Sequence, residues 1–353
     1  MLTMLTPVVS PEDLQRLHTF LCACRHAVIT CHKQPDGDAL GSCLAMQEWL
    51  RSQGKEATVV VPSGFPDFLQ GLPHSNEVLI YEHCYARCRA LIGMADLIIV
   101  LDLNAPDRLA ELADPIQKAR CRKLLIDHHE NPQQFCDLQI SRPTMSSTCE
   151  LLLRLIDAMG EMQHVSHDCA EALLAGILTD TGRLSYNSND PEIYLIVAEL
   201  IRRGVDKDKL VRKLYNQQYE SRYRLMGYVL SEKLEILPEA HAALFSLTRE
   251  ELTRFHFMRG DMEGVVNMPL EIKGTRVSIS LREDTEKPEI SVSIRSVDDF
   301  SAQDMAERFF HGGGHFNAAG GRLRCSMEEA LRIAHEAIAY YNTSDTCQST
   351  PSH

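Results

Sequence analysis

Along the first half of the chain, short apolar runs alternate with segments whose apolar residues recur at helical spacing. Residues 27–31 (AVITC), 58–61, 77–81, 97–102 (LIIVLD) and 123–127 (KLLID) are continuous β-branched or aliphatic runs, and each predicts a strand. Pro11 after Ser10, with Glu12 and Asp13 in the first turn, starts a helix running to about Arg25. Helical patterns over 38–52 and 106–113 separate several of the strands, and helices dominate over 146–160, 167–181 and 191–203. Continuous apolar strands alternating with helices predict an α/β domain: a mostly parallel sheet covered by helices on both faces.

After residue 201 the pattern changes. Residues 201–224 carry eight Lys or Arg against three acids, and this basic helical stretch reads as a connector. Its charges form a solvated helical face or, alternatively, face a phosphate-bearing substrate across an interdomain cleft. Beyond it, Val277, Ile279 and Leu281 alternate with Arg276, Ser278, Ser280 and Arg282, and Ile290, Val292 and Ile294 alternate with Ser291, Ser293 and Arg295. Strict alternation predicts antiparallel sheet with one wet face, hence a smaller α+β domain. Ser326 and Glu329 make a capping box for a last helix ending near Tyr341, followed by a polar, disordered tail. The expected boundaries are a catalytic domain over 1–203, a helical linker over 204–235, a substrate-binding domain over 236–342 and a tail over 343–353.

Composition narrows the function classes. The chain has 353 residues, 44% hydrophobic and 24% charged, with no apolar stretch long enough for a membrane span. The N-terminus lacks a basic region and a long apolar core, so no secretion signal is expected and the address is cytoplasmic. Twelve cysteines without a CxxC pair, among them Cys22, Cys24, Cys43, Cys149 and Cys169 in apolar or helical contexts, read as reduced structural thiols. A net charge of −13, from 36 Lys and Arg against 49 Asp and Glu, argues against stable binding of long duplex DNA and leaves room for a local anion site.

The chemistry gathers where the predicted parallel strands end, the edge at which open α/β sheets bind ligands. AVITC runs into His32, Asp36 and Asp38; LIIVL ends on Asp102; KLLI ends on Asp127, His128 and His129. Asp180 closes the apolar helix ALLAGILTD. Singly these residues have plain readings: Asp38 caps the helix after it, and His128 or His129 is a satisfied, partly buried imidazole. Together they bring several carboxylates to one edge, where like charges resist joint ionisation unless a cation compensates them. Carboxylates with imidazole and no thiolate suit Mn²⁺ or Mg²⁺, with Zn²⁺ or Co²⁺ as substitutes. Two ions sharing one carboxylate suit in-line displacement at phosphorus, which makes phosphoester hydrolysis the expected reaction.

The segments HKQPDGDALGS (32–42), Asp102, Asp127–His128–His129 and Thr179–Asp180–Thr181–Gly182 resemble the four ordered motifs of the DHH phosphoesterase superfamily. VSIRS (292–296) and GGGHFNAAGG (312–321) resemble the associated DHHA1 domain of its first subfamily. The resemblance extends from about Ala27 to Leu323 and is greatest to the bifunctional nanoRNase (oligoribonuclease) and pAp phosphatase group. It implies hydrolysis of short oligoribonucleotides and of adenosine 3′,5′-bisphosphate with two metal ions, Mn²⁺ foremost. One ion would be held by His32, Asp36 and Asp102, the other by Asp38, Asp102, His128 and Asp180. Asp102 would be shared between them. His129 would face the phosphate as donor or acid, and Asp127 would orient the loop or a ligand imidazole. Arg295, His315 and the amides of Gly312, Gly313 and Gly314 would bind nucleotide phosphates; Arg282 is a helper by its place on a similar wet strand face, not by the resemblance. Independently, a guanidinium on a polar strand face and side-chain-free amides both suit an anion. A homodimer is compatible with the resemblance. The chain departs from the pattern at Gln34, where the family has Asn, and at His311, where it has a further glycine; His311 bears on substrate preference.

Alternatives within enzymes are a linear or cyclic dinucleotide phosphodiesterase and a RecJ-type single-strand exonuclease, with pyrophosphatase or exopolyphosphatase activity more distant. From a different class comes a nucleotide-binding sensor without catalysis.

Overall fold

The computed structural model describes residues 5–216, 219–258, 260–262 and 264–348, and the chain divides at residues 217/218 into two units. The first contains α1 (Pro11–Ala23), β1 (His26–Thr30), α2 (Gly37–Arg51), β2 (Glu56–Val61), β3 (Leu79–Ile80), α3 (Tyr81–Met94), β4 (Leu97–Leu101), α4 (Ala113–Lys118), β5 (Arg122–Asp127), β6 (Leu138–Ser141), α5 (Thr148–Ala158), α6 (His167–Asp180), α7 (Pro191–Arg202) and α8 (Lys207–Tyr215). Its strands form one parallel sheet in the order β3-β2-β1-β4-β5-β6. The strands are apolar on both sides because both sides are covered. Ile29, Ile99 and Ile126 pack among residues of α2, α5 and α6, while Val28, Ile98, Val100 and Leu125 pack against Tyr81, Ile92, Leu109 and Leu112. Chain order reverses between neighbouring β1 and β4, and a crevice opens at the carboxyl ends of such a pair.

Several elements differ from expectation. The strand over 77–81 shrinks to Leu79–Ile80, the only residues of that run paired with β2, and helix α3 begins at once. The helix over 106–113 is a 3₁₀ segment, Pro106–Leu112, interrupted at Ala110 with φ of 48°. Strand β6 escaped the sequence reading because four residues, LQIS, are too few to show a pattern. Of the five cysteines singled out, Cys22 is exposed and the other four are buried, all as free thiols.

The second unit contains α9 (Glu220–Tyr228), β7 (Glu235–Leu237), β8 (Ala242–Leu247), α10 (Arg249–Arg254), β9 (Val277–Glu283), β10 (Ile290–Ser296), α11 (Ala302–Phe309), β11 (Gly313–His315), β12 (Ala318–Leu323) and α12 (Met327–Gln348). Its sheet, ordered β11-β12-β10-β9-β8-β7, is mixed rather than purely antiparallel, since β8 runs parallel to β9. Val277, Ile279, Leu281, Ile290, Val292 and Ile294 form one face, packed against α11 and α12 residues including Met305, Ala330 and Ala334. The opposite face is wet only in part. Ser278 and Ser280 are buried, because Phe245 and Leu247 on β8 join Leu225, Leu252, Val265 and Val266 in a second apolar layer over that end of the sheet.

The segment expected to be a separate linker over 204–235 is divided between the units. Helix α8 buries Leu210 and Leu214 in the core of the first, and α9 buries Leu225 in that of the second. The last helix passes Tyr341 and ends at Gln348, so the expected tail is helical over 342–348; residues 349–353 lie outside the described residues. Among the described residues no helix is long and apolar enough to cross a membrane.

Candidate active site

At the exit of β1, His32 is 6% exposed, and its Nδ1 donates to the carbonyl of Lys33 at 2.9 Å. A carbonyl only accepts, so Nδ1 carries a proton and Nε2 is the nitrogen turned to the carboxylates. That Nε2 is buried without a hydrogen-bond partner and lies 3.6 Å from Asp36 Oδ2 and 3.4 Å from Asp102 Oδ2. Asp36 is the cap of α2: its Oδ1 accepts from the amides of Asp38 (3.1 Å) and Ala39 (3.0 Å). Asp38 is therefore no cap. It sits in the first turn, 1% exposed, and accepts from the amides of Thr148 (2.6 Å) and Cys149 (2.9 Å) at the start of α5.

Asp102 leaves β4 with φ of +60°, a left-handed conformation that Asp and Asn tolerate better than most residues. Its Oδ1 accepts the Thr148 hydroxyl at 2.9 Å and lies 3.6 Å from His128 Nε2, while its Oδ2 faces His32. The two oxygens of one buried carboxylate thus address imidazoles from different strands. His128 donates Nδ1–H to the carbonyl of Met145 at 3.2 Å, presenting Nε2 to Asp180 Oδ2 at 3.3 Å and Asp38 Oδ2 at 3.8 Å. The fully buried Asp127 accepts from His129 Nδ1 at 2.8 Å, so the ring it orients is that of His129.

Thr148 was missed by sequence reasoning. Ser147 with Glu150 marks a helix start, yet nothing local says that its free amides meet Asp38. That start is itself held: Glu150 accepts from Ser146 and from buried Arg154, which also pairs with Asp190 and Glu192.

Electrostatically the site is overloaded with acid. Burial, then Asp102 and Asp180, push Asp38 well above the carboxylate range. Burial, then Asp102 and Asp36, drive Asp180 to about 8. Burial works against protonated His32, but Asp102 and Asp36 outweigh it and raise it to about 11. His128 likewise rises despite burial, through Asp38 and Asp102. Asp102 alone goes the other way; burial opposes its charge, and the His32, His128 and His129 rings hold it below the ordinary range. Protons stand here where cations would serve better. The donor atoms of His32, Asp36 and Asp102, those of Asp38, His128 and Asp180, and those of Asp102, His128 and His129 each lie within 4.8 Å of one another. With the orphaned Nε2 of His32 and an oxygen-rich donor set, these residues fit divalent metal.

In the second unit, pairing places Arg295 opposite Ala318 and Ala318 opposite His315, so Arg295 and His315 share one row of one sheet face. Arg295 Nη1 donates to the carbonyls of Ile294 (3.0 Å) and Ala319 (3.4 Å), which fixes the side chain along the strand edge. The glycines have a packing reason as well. A Cβ on Gly312 would lie 1.8 Å from the carbonyl oxygen of Gly320, and Gly314 has φ of +146°. Only Gly313 faces open space, with Glu307 at 3.9 Å its nearest neighbour.

Residues 26–177 match the DHH family, N-terminal domain, and residues 250–340 match the DHHA1 domain. The bifunctional oligoribonuclease and PAP phosphatase NrnA of Thermus thermophilus is 31% identical over 315 residues, covering 88% of this chain and 88% of that protein. The chain belongs to the DHH family. As a DHH phosphoesterase it is a hydrolase. The crystal structure of an exopolyphosphatase-related protein from Bacteroides fragilis superposes with a TM-score of 0.93 at 44% identity, covering 96% of this chain and 99% of that one. RecJ of Thermus thermophilus in complex with Mn²⁺ shares the fold alone: TM-score 0.53, 15% identity, 93% of this chain and 54% of that one. Both departures from the DHH pattern fall on left-handed backbone, φ 59° at Gln34 and 50° at His311. Asn and Gly adopt this conformation at less cost than Gln and His.

Proposed function

We propose that this chain hydrolyses short oligoribonucleotides and adenosine 3′,5′-bisphosphate, using two divalent cations, Mn²⁺ foremost. The observation that carries this reading is Asp102, whose two oxygens face the His32 and His128 rings and so belong to both donor sets. His32, Asp36 and Asp102 would hold one cation, and Asp38, Asp102, His128 and Asp180 the other. Bound there, the cations would offset the carboxylates, polarise the phosphoryl oxygens and activate water. The α5 amides and the Thr148 hydroxyl keep Asp38 and Asp102 in place as a substrate arrives. His129, its Nδ1 fixed by Asp127, presents its Nε2 edge for a proton transfer at the phosphate. Arg295 and His315 grip a phosphate of the nucleotide. The name of the NrnA relative supports the substrate class.

The test is hydrolysis of a panel by metal-stripped protein with Mn²⁺ added back: pAp, RNA of two to five nucleotides, long single-stranded DNA, cyclic di-AMP and pyrophosphate. Turnover of pAp and the short RNAs with little on the rest is expected. Preference for any of the others overturns the substrate assignment, and tight binding without turnover makes the protein a sensor.

A further inference from the structure

The polar face of the second sheet carries a second cationic row beyond Arg295 and His315. Pairing sets Arg282 opposite Ser291 and Ser291 opposite Arg322, so these residues share the face of Arg295 and His315 two rows further along. His311 and Arg322 line one open cavity of about 780 Å³ together with Lys287, Arg324, Glu289 and Glu329. Cations predominate there. Glu289 pairs with Arg322 Nη1 at 2.6 Å and lies 3.9 Å from Arg324 Nε, and Glu329 pairs with Arg332 outside the cavity, which is shared with Glu336, so the lining carries Lys287, Arg322 and Arg324 against Glu289 and Glu329. The Arg322 and Arg324 side chains are 63% and 87% exposed, so a solvated anion can reach both.

Between the two cationic rows lies an almost bare one: Ser280, Ser293, Gly320 and Gly313 are in register. Gly320 has no choice in this, since a Cβ there would come 2.7 Å from the carbonyl oxygen of Val292. The exposed end of the face is thus cationic, flat, then cationic again. From Ala318 to Arg322 is four residues of β12, or ~13 Å at ~3.3 Å per residue. One extended nucleotide covers about half that distance, so a strand with one phosphate at Arg295 and His315 sets the phosphate two steps along beside Arg322.

We infer that Arg322, His311 and Arg324 form a second anion subsite, taking the distal phosphate of an oligoribonucleotide of three or more residues laid along β12. The inference rests on Arg295 and His315 holding a substrate phosphate, as proposed above. It makes length preference a property of this row: adenosine 3′,5′-bisphosphate and a 5′-phosphorylated dinucleotide are too short to reach it, and a trinucleotide is not.

The experiment compares full-length wild type with Arg322→Gln, which keeps a donor for buried Glu289, and with Arg324→Ala, on pAp and 5′-phosphorylated RNA of two to five nucleotides. KM should rise about 5- to 10-fold for three to five nucleotides and stay unchanged for pAp and the dinucleotide, with kcat preserved throughout. Binding of fluorescein-labelled trinucleotide in EDTA should weaken in parallel, with a log–log salt slope shallower by ~0.7 for each cation–phosphate pair removed. An unchanged trinucleotide KM and affinity, or an equal loss on every substrate, overturns the subsite. If the wild type turns over none of these substrates, the proposed function fails while the binding comparison still decides the subsite.

Discussion

The two units handle charge in opposite ways. In the first, Asp38, Asp102 and Asp127 are almost wholly buried, and each is held by named donors: the α5 amides, the Thr148 hydroxyl and the His129 ring. In the second, Arg295 is half-buried, His315 and Arg322 are exposed, and glycines form the floor between them. A buried, over-determined set of acids keeps its geometry as substrates come and go, which chemistry at phosphorus requires. An exposed cationic face over bare backbone gives affinity with little shape selection, which suits a strand of any sequence. The comparison therefore predicts that lesions in the first unit remove turnover and that lesions in the second remove affinity.

The largest expected effect comes from Asp102→Asn. Asn tolerates the left-handed backbone at this position, so the fold should hold while the shared negative charge is lost. Turnover should fall at least ~10³-fold, with bound metal reduced as measured by elemental analysis. A variant that keeps kcat and changes only KM would dissolve the distinction between the units. Next in size is Thr148→Val, which keeps the amide to Asp38 and removes the hydroxyl from Asp102 Oδ1. Groups that orient a metal ligand are worth ~10- to 100-fold in metal affinity or activity, and titration of the stripped protein with Mn²⁺ measures this directly. Smaller still, Arg295→Ala should raise KM ~10-fold, the cost of a charge-assisted hydrogen bond to phosphate, and leave metal content at the wild-type value. Loss of metal in that variant would mean that the second unit supports the first site.

How far the sequence alone revealed this division depends on the kind of signal. The edge that gathers these acids and imidazoles was legible because a parallel strand reads as a continuous apolar run, so an Asp or His that follows or ends one, as at His32, Asp102 and Asp127, stands out and is placed by the topology. The grouping of residues expected to hold metal came from the resemblance; the donor atoms of His32, Asp36 and Asp102 lie together, as do those of Asp38, His128 and Asp180, while Asp102 also gathers with His128 and with His129, a residue the resemblance keeps off the metal. Thr148 was illegible, since its role arises from the start of α5 meeting α2, a contact between residues 110 apart in the chain. Alternation in β9 marked Ser278 and Ser280 as polar and suggested that they were wet. What covers them is Phe245 and Leu247 on a parallel neighbour whose pairing no local pattern announces. The linker was misjudged for a related reason: charge dominates 201–224, yet the few leucines on α8 and α9 decide to which core each helix belongs.

The smallest expected effect tests whether the acid load is confined to the first unit. In the metal-free protein Asp180 titrates at about 8 and His32 at about 11, both above their unfolded values of ~3.9 and ~6.5. A group raised on folding holds a proton that the unfolded chain has released, so its contribution is full below the unfolded value and is lost as pH climbs through the folded one. Asp180 therefore loses its contribution between pH ~4 and about 8, and His32 between ~6.5 and about 11; from pH 6 to 9 the two act in the same direction. Asp102, held low, is ionised in both states across that window and adds no slope. In the second unit Glu251, Asp284 and Asp304 are all lowered, so their contributions are constant there too. Metal-stripped protein should accordingly melt several degrees lower at pH 9 than at pH 6, and saturating Mn²⁺ should flatten the trend by replacing the protons. Asp180→Asn should reduce the slope without any metal present. Equal slopes with and without Mn²⁺, or a slope untouched in Asp180→Asn, would place the strain outside this carboxylate cluster and remove the electrostatic contrast between the two units.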